Sequence, residues 1–258
     1  MKFNIVYILI ALSLISCQEK EAPRPAGIAL SFDDRFIKEW FELRPLFKKY
    51  HAKVTFYITQ PDSLSTEEIE MLHQLQADGH EIGCHGAMHI GSINYVWEHS
   101  LEEYMQKEVF QALKTMKRQD FSPTTFAHPG GSQIWYIDRE LLKHFSLLRD
   151  VSMKERNIFG FTYRREVENM DEIYHHHDDT RKVNALIIDV SANLTIEDIQ
   201  KGLAKAQKEQ SVMMLFGHKP LRKITHKPEE YGFDIFFLEQ ILSESAKLKL
   251  QYFTMNSL

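Results

Sequence analysis

Cysteine is nearly absent from this chain: there are two in 258 residues, at positions 17 and 84. A disulfide framework of the kind that staples small secreted domains is thereby excluded within one chain. An excess of positive charge is missing as well. Lysine and arginine total 31 against 36 aspartates and glutamates, a formal net charge of −5. That balance leaves no basic footprint for nucleic acid. Beyond the first seventeen residues no apolar run is long enough to span a bilayer. No internal repeat or low-complexity block follows residue 27, so one globular domain is the economical reading, and the length suffices for one sizeable core.

What is present begins with a leader. Lys2 precedes "IVYILIALSLI", an apolar run too short to cross a membrane comfortably, and the run ends in Leu14-Ile15-Ser16-Cys17. The pattern resembles a bacterial lipobox, in which the cysteine is lipidated and becomes the new N-terminus; an ordinary cleaved signal peptide is the alternative. Residues 1–17 are then a lipoprotein signal peptide, and "QEKEAPRPA" (18–26) is an extended tether. The globular domain is 27–258. A protein so built is monomeric, secreted and held to a membrane through lipid on Cys17 without spanning it. Gln18 behind the cysteine resembles an outer-membrane sorting signal, with either a periplasmic or a surface-exposed placement.

Along the domain, strand-like runs alternate with helical patterns. "GIALSF" (27–32), "AKVTFYIT" (52–59), "EIGCH" (81–85), "TTFAHP" (124–129), "FSLLRD" (145–150), "ALIIDVS" (185–191), "VMMLFGH" (212–218) and the closing "LQYFT" are short and rich in apolar residues. Between them, Ser65 and Glu68 resemble a capping box ahead of Ile69, Leu72 and Leu75. Leu101 to Met116 carries an amphipathic helical pattern. Thr195 and Asp198 open a helix with Ile196, Ile199, Leu203 and Ala206, and a last helix covers 233–248. Strand and helix units in alternation predict a parallel α/β sheet, closed or nearly closed into a barrel and buried on both faces.

"GHEIGCHGAMH" (79–89) sets His85 and His89 four residues apart. On a short helical segment both imidazoles would project from one side, the geometry with which two neutral rings grip a metal ion. Surface or core histidines are the bland alternative, since the chain has thirteen. Barrels of this class keep their chemistry at the carboxyl ends of the strands. Asp33-Asp34, His85, Pro129-Gly130-Gly131 and His218 all stand at such ends. That convergence favours a metal site.

The stretches "LSFDDRF", "KVTFYIT", "GHEIGCHGAMH", "FAHPGGS" and "MMLFGHKP" are similar, in order and spacing, to the motifs of the polysaccharide deacetylases, the NodB-homology type of carbohydrate esterase family four. The resemblance spans residues 28–220 and extends to the last helix and strand. It implies a distorted parallel (β/α) barrel with a divalent metal, usually Zn2+, at its mouth. It implies further that Asp34, His85 and His89 ligate the metal, that Asp33 is the general base toward water and that His218 is the general acid toward the leaving amine. A backbone N–H of the proline-glycine turn, here Gly130, holds the oxyanion. The substrate would be an N-acetylated amino sugar of a cell-envelope or extracellular polysaccharide. An O-acetyl esterase is the enzymatic alternative, and an inactive carbohydrate-binding lipoprotein the non-enzymatic one.

One departure stands out. The family carries an arginine beside the proline turn to pair with the catalytic aspartate, and this chain has Ala127 there. A replacement cation is therefore expected. Arg149, in "FSLLRD", is the first choice because it falls at a strand's carboxyl end; Arg35 is the second; a solvated rim arginine is the bland reading of both. "YHHHDD" (174–179) reads as a polar loop, Cys84 as a small buried residue, and Trp97, Trp135 and Tyr136 as either sugar-stacking or packing aromatics.

Overall fold

The computed structural model describes residues 24–224 and 231–258. The expected signal peptide, the Cys17 lipobox and most of the tether lie outside the described residues. Seven strands build the barrel: β1 (Gly27–Asp34), β2 (Val54–Ile58), β3 (Glu81–Cys84), β4 (Thr125–Ala127), β5 (Leu147–Ser152), β6 (Lys182–Ile187) and β7 (Val212–Gly217). Neighbours are parallel throughout, and β7 pairs back onto β1 from Gly27↔Val212 to Phe32↔Gly217, which closes the sheet. Gln251–Phe253 adds to the first half of β1, and Tyr174–His175 adds antiparallel to the start of β7.

Successive strand residues face opposite sides of a sheet. Ala29, Tyr57, Ala127, Leu147, Val183, Ala185, Val212, Met214 and Phe216 turn inward and fill the barrel. Ile28, Leu30, Phe32, Val54, Phe56, Ile58, Ile82 and Cys84 turn outward under the helices. Both faces are apolar, which is why no alternation is visible in the strand sequences. The floor is sealed. The inward carboxylate of Glu81 accepts from Thr55 Oγ1, Thr125 Oγ1 and the Asn256 N–H, and Met255 packs inside. Access to the interior is left to the carboxyl ends of the strands.

The helices form where local signals place them. Ser65 and Glu68 make a reciprocal capping box at the start of Thr66–Ala77, and Thr195 with Asp198 does the same for Ile196–Glu209. The last helix is Ile235–Lys247. Leu101 to Arg118 runs continuously but loosens into a π-helical segment over Met105–Phe110, which apolar spacing does not reveal. Two local expectations need correction. His85 and His89 are not on a helical turn: the chain from 85 to 91 is an irregular loop and His89 takes φ +63°. "YHHHDD" is not wholly a polar loop either, because Tyr174–His175 is a strand and His175 is buried. β6 also begins earlier than "ALIIDVS", at Lys182, and stops at Ile187, so Asp189 stands just past its end.

Candidate active site

Strand parity carries the site. Asp33 on β1, His85 just past β3, Arg149 on β5 and His218 just past β7 all continue inward-facing series, so they converge above Phe216 and Tyr57. Asp33 and His85 are each 2% exposed and Arg149 is fully buried.

Asp34 bends away from β1 at φ +88° and turns its carboxylate toward the histidine loop. Its Oδ1 lies 3.4 Å from His89 Nε2 and 3.7 Å from His85 Nε2. One donor atom from each of Asp34, His85 and His89 falls within 4.8 Å of the other two. The His85 ring is fixed from behind, since its Nδ1–H donates to the Ala127 carbonyl at 2.9 Å. That tautomer leaves the Nε2 lone pair facing Asp34, as a metal ligand requires. Burial holds the His85 imidazole down to about 4, so it is neutral, the ligating form. Two imidazole nitrogens and one carboxylate oxygen suit a divalent cation with open positions for water and substrate.

Beside this triad, Arg149 Nη2 donates to Asp33 Oδ2. The guanidinium is sandwiched between aromatic faces, 4.5 Å from the Phe216 centroid and 5.3 Å from Tyr57. Arg149 lies within β5 and not at its end, because the strand continues to Ser152, and its side chain spans the remaining distance. Ala127 is the cross-strand neighbour of Arg149, so the small residue on β4 leaves room for the long one on β5. Arg35 turns elsewhere and donates to Gln60 Oε1 and the Ser63 carbonyl. Burial opposes ionisation of Asp33, but the charge and hydrogen bond of Arg149, with the charge of His218, outweigh it, and its pKa is lowered. Asp33 Oδ1 is buried and has no hydrogen-bond partner among the described residues.

On the opposite wall, His218 Nδ1–H donates to Asp189 Oδ2 at 2.6 Å, and the His218 backbone N–H donates to Asp189 Oδ1. The ring stacks against Tyr231, centroids 4.4 Å apart, and Tyr231 in turn donates its hydroxyl to Asp34 Oδ2 at 2.8 Å. Burial works against a charged His218, yet the bond and charge of Asp189, with Asp33 and Asp34, prevail and raise its pKa. Gly130 tops the β4 turn at φ +63°, exposed, with nothing within 4 Å of where a Cβ would lie. His128 points outward to Asp138 at 3.2 Å and takes no place in the site. A cleft of about 640 Å³ beside Arg44, Lys53 and Asp78 opens at the other end of the barrel, and none of these candidates lines it.

A family model described as polysaccharide deacetylase matches residues 20–147, which include both aspartates, both loop histidines and Gly130. Residues 20–147 thus belong to the polysaccharide deacetylase family.

Solved structures agree on the fold. The deacetylase chain is similar to a chitin deacetylase from the fungal pathogen Colletotrichum lindemuthianum, at 13% identity and TM-score 0.57, covering 90% of this chain and 87% of that one. It is similar to the Xyl-CE4 domain of a multidomain xylanase from the hindgut metagenome of Trinervitermes trinervoides, at 13% identity and TM-score 0.54, with 90% and 88% covered. It is also similar to a Streptococcus mutans CE4 esterase, at 15% identity and TM-score 0.54, with 90% and 87% covered. The comparison with curated proteins returned no match.

Three residues in or behind the candidate site carry no reading in the sequence. Asp189 was legible only as part of an apolar strand, although an aspartate just past a strand end was a usable signal. Tyr231 follows a polar stretch with no motif around it. Glu108 sits on the buried side of an amphipathic helix, where a lone acid is itself a signal. Cys84 is buried as expected, and burial pushes its thiol up to about 12.

Proposed function

We propose that this deacetylase is a divalent-metal-dependent hydrolase, with zinc as its metal, that removes acetyl groups from N-acetylated amino sugars of an envelope or extracellular polysaccharide. The observation that carries the reading is the placement of two differently tuned groups beside one donor triad: Asp33, held ionised by Arg149, and His218, held toward its protonated form by Asp189. Asp34, His85 and His89 would hold the cation. When bound there, it lowers the pKa of an attacking water toward ~7 and polarises the acetyl carbonyl.

The protein's own residues then divide the proton traffic. Asp33 accepts the water proton through Oδ1, while Oδ2 stays on Arg149 and fixes the carboxylate's orientation. The Gly130 N–H is offered to the carbonyl oxygen as charge develops on it. His218 donates its proton to the departing nitrogen. An amine leaves poorly unless protonated, whereas an alkoxide needs less help, and the raised pKa of His218 therefore favours the N-acetyl reading over the O-acetyl one. Trp97 and Trp135, exposed beyond β3 and β4, offer faces for sugar rings. We place the protein on a membrane through lipid on Cys17. Acetate release from a panel of N- and O-acetylated glycans, with metal supplied and then chelated, tests the reading. Metal-dependent release from N-acetylated chains is expected; release only from O-acetylated glycans, or none from any, would reject it.

A further inference from the structure

Glu108 is a fully buried acid outside the catalytic ring, on the π-helical segment Met105–Phe110. No cation pairs with it among the described residues. Its partners are peptide groups of the loop that carries His89. Glu108 Oε2 accepts from the Met88 N–H at 2.8 Å and Oε1 from the Ile90 N–H at 2.8 Å, while the Glu108 main-chain carbonyl accepts from Ala87 at 2.9 Å. Gly86, at φ +84°, completes the enclosure: a Cβ there would stand 2.0 Å from Glu108 Oε1. The loop thus folds around one carboxylate, its N–H groups turned inward on the anion as in a backbone nest. His89, between the two donating residues, is held at φ +63°, a conformation uncommon outside glycine.

We propose that Glu108 is a positioning residue for the metal site, the template that sets the 86–90 loop and so aims His89 Nε2 at Asp34. The inference rests on the metal reading above. It accounts for a four-residue histidine spacing that works without a helix, and for the π-helical widening, which brings position 108 under the loop. Replacing supporting groups behind metal ligands typically weakens metal binding 10–100-fold. In Glu108→Gln one amide oxygen remains to accept and the –NH2 faces a second N–H, so half the template is lost at constant volume.

The test is zinc affinity by competition with a chromophoric chelator, on wild type, Glu108→Gln and the surface control Glu103→Gln. Wild-type binding is the first arm: if wild type holds no zinc, the metal reading fails and this proposal with it. If wild type and Glu103→Gln bind alike and Glu108→Gln binds at least tenfold more weakly, the positioning role stands, and turnover should partly recover at saturating zinc. Should Glu108→Gln not fold, Glu108→Asp, which keeps the charge but withdraws it from the loop, takes its place with the same expectation. Unchanged zinc affinity in a folded Glu108 variant overturns the proposal and leaves the metal reading intact, whatever the change in melting temperature.

Discussion

Arg149→Ala is the sharpest perturbation of this site. Arg149 is fully buried, donates to Asp33, and lies between Phe216 and Tyr57. Its removal leaves a carboxylate at 2% exposure without its cation. Breaking one partner of a buried pair costs about 3–5 kcal/mol, and the lost stacking on aromatic faces is part of that figure. The pH dependence identifies the cause. In the wild type, burial alone would raise the Asp33 pKa, and the surrounding positive charges bring it below its usual value. Asp33 therefore contributes stability that is present above the unfolded pKa and lost as pH falls through the lower folded one. Without Arg149 burial dominates, the folded pKa rises, and the penalty is felt only where Asp33 is ionised. Urea unfolding should accordingly show the full deficit near about pH 7.5 and a smaller one near about pH 4.5. Asp33→Asn with Arg149→Met should recover much of the loss, since both charges are gone. Arg149→Lys, which keeps charge but not the planar fork or the stacking, should lower kcat more than it raises KM. A variant within about 1 kcal/mol of wild type at neutral pH, or a deficit that grows on acidification, would refute the pairing argument.

Other outcomes follow from the same geometry. His85→Ala or His89→Ala should lose most bound zinc by elemental analysis, whereas Asp33→Asn should retain zinc and lose turnover; full occupancy in the double histidine variant contradicts the donor assignment. Asp189→Asn removes the group that outweighs burial at His218, so the His218 pKa falls and the alkaline limb of kcat/KM moves to lower pH; an unmoved limb means His218 is not the acid. Cys17→Ser should release the protein from membranes, as read by fractionation, and a wild type already in the soluble fraction would dispose of the lipid anchor.

The fold and the candidate site were legible in the sequence to different depths. Capping boxes at Ser65 and Thr195, short apolar runs and intervening helical periodicity are local signals, and each element they mark is present. The Asp33-Asp34 pair, His85, the Pro129-Gly130-Gly131 turn and His218 were readable because each stands at a strand end, and parallel barrels gather strand ends on one face; His89 was readable from its spacing to His85 and from the family resemblance. Arg149 was readable as the replacement for the arginine missing at Ala127 because it falls on the next strand-like run, toward its carboxyl end. Strand alternation was not readable, since both faces of these strands are apolar and period two leaves no trace in such runs.

Sequence by itself determined the α/β barrel class and, through the family resemblance its motifs carry, pointed to the candidate donor set and to a compensating arginine, because these depend on residue types and short-range patterns. Only the tertiary structure decided how those groups are aimed. Asp189 meets His218 from the neighbouring strand of the barrel, and Tyr231 fixes one Asp34 oxygen from a different segment of the chain. The histidine loop is irregular where spacing suggested a helical turn, because Glu108, nearly twenty residues away, supplies acceptors that a helix would have drawn from its own backbone. Contacts between residues far apart in the chain depend on which strand neighbours which and on which face each residue turns inward, and a linear pattern carries neither.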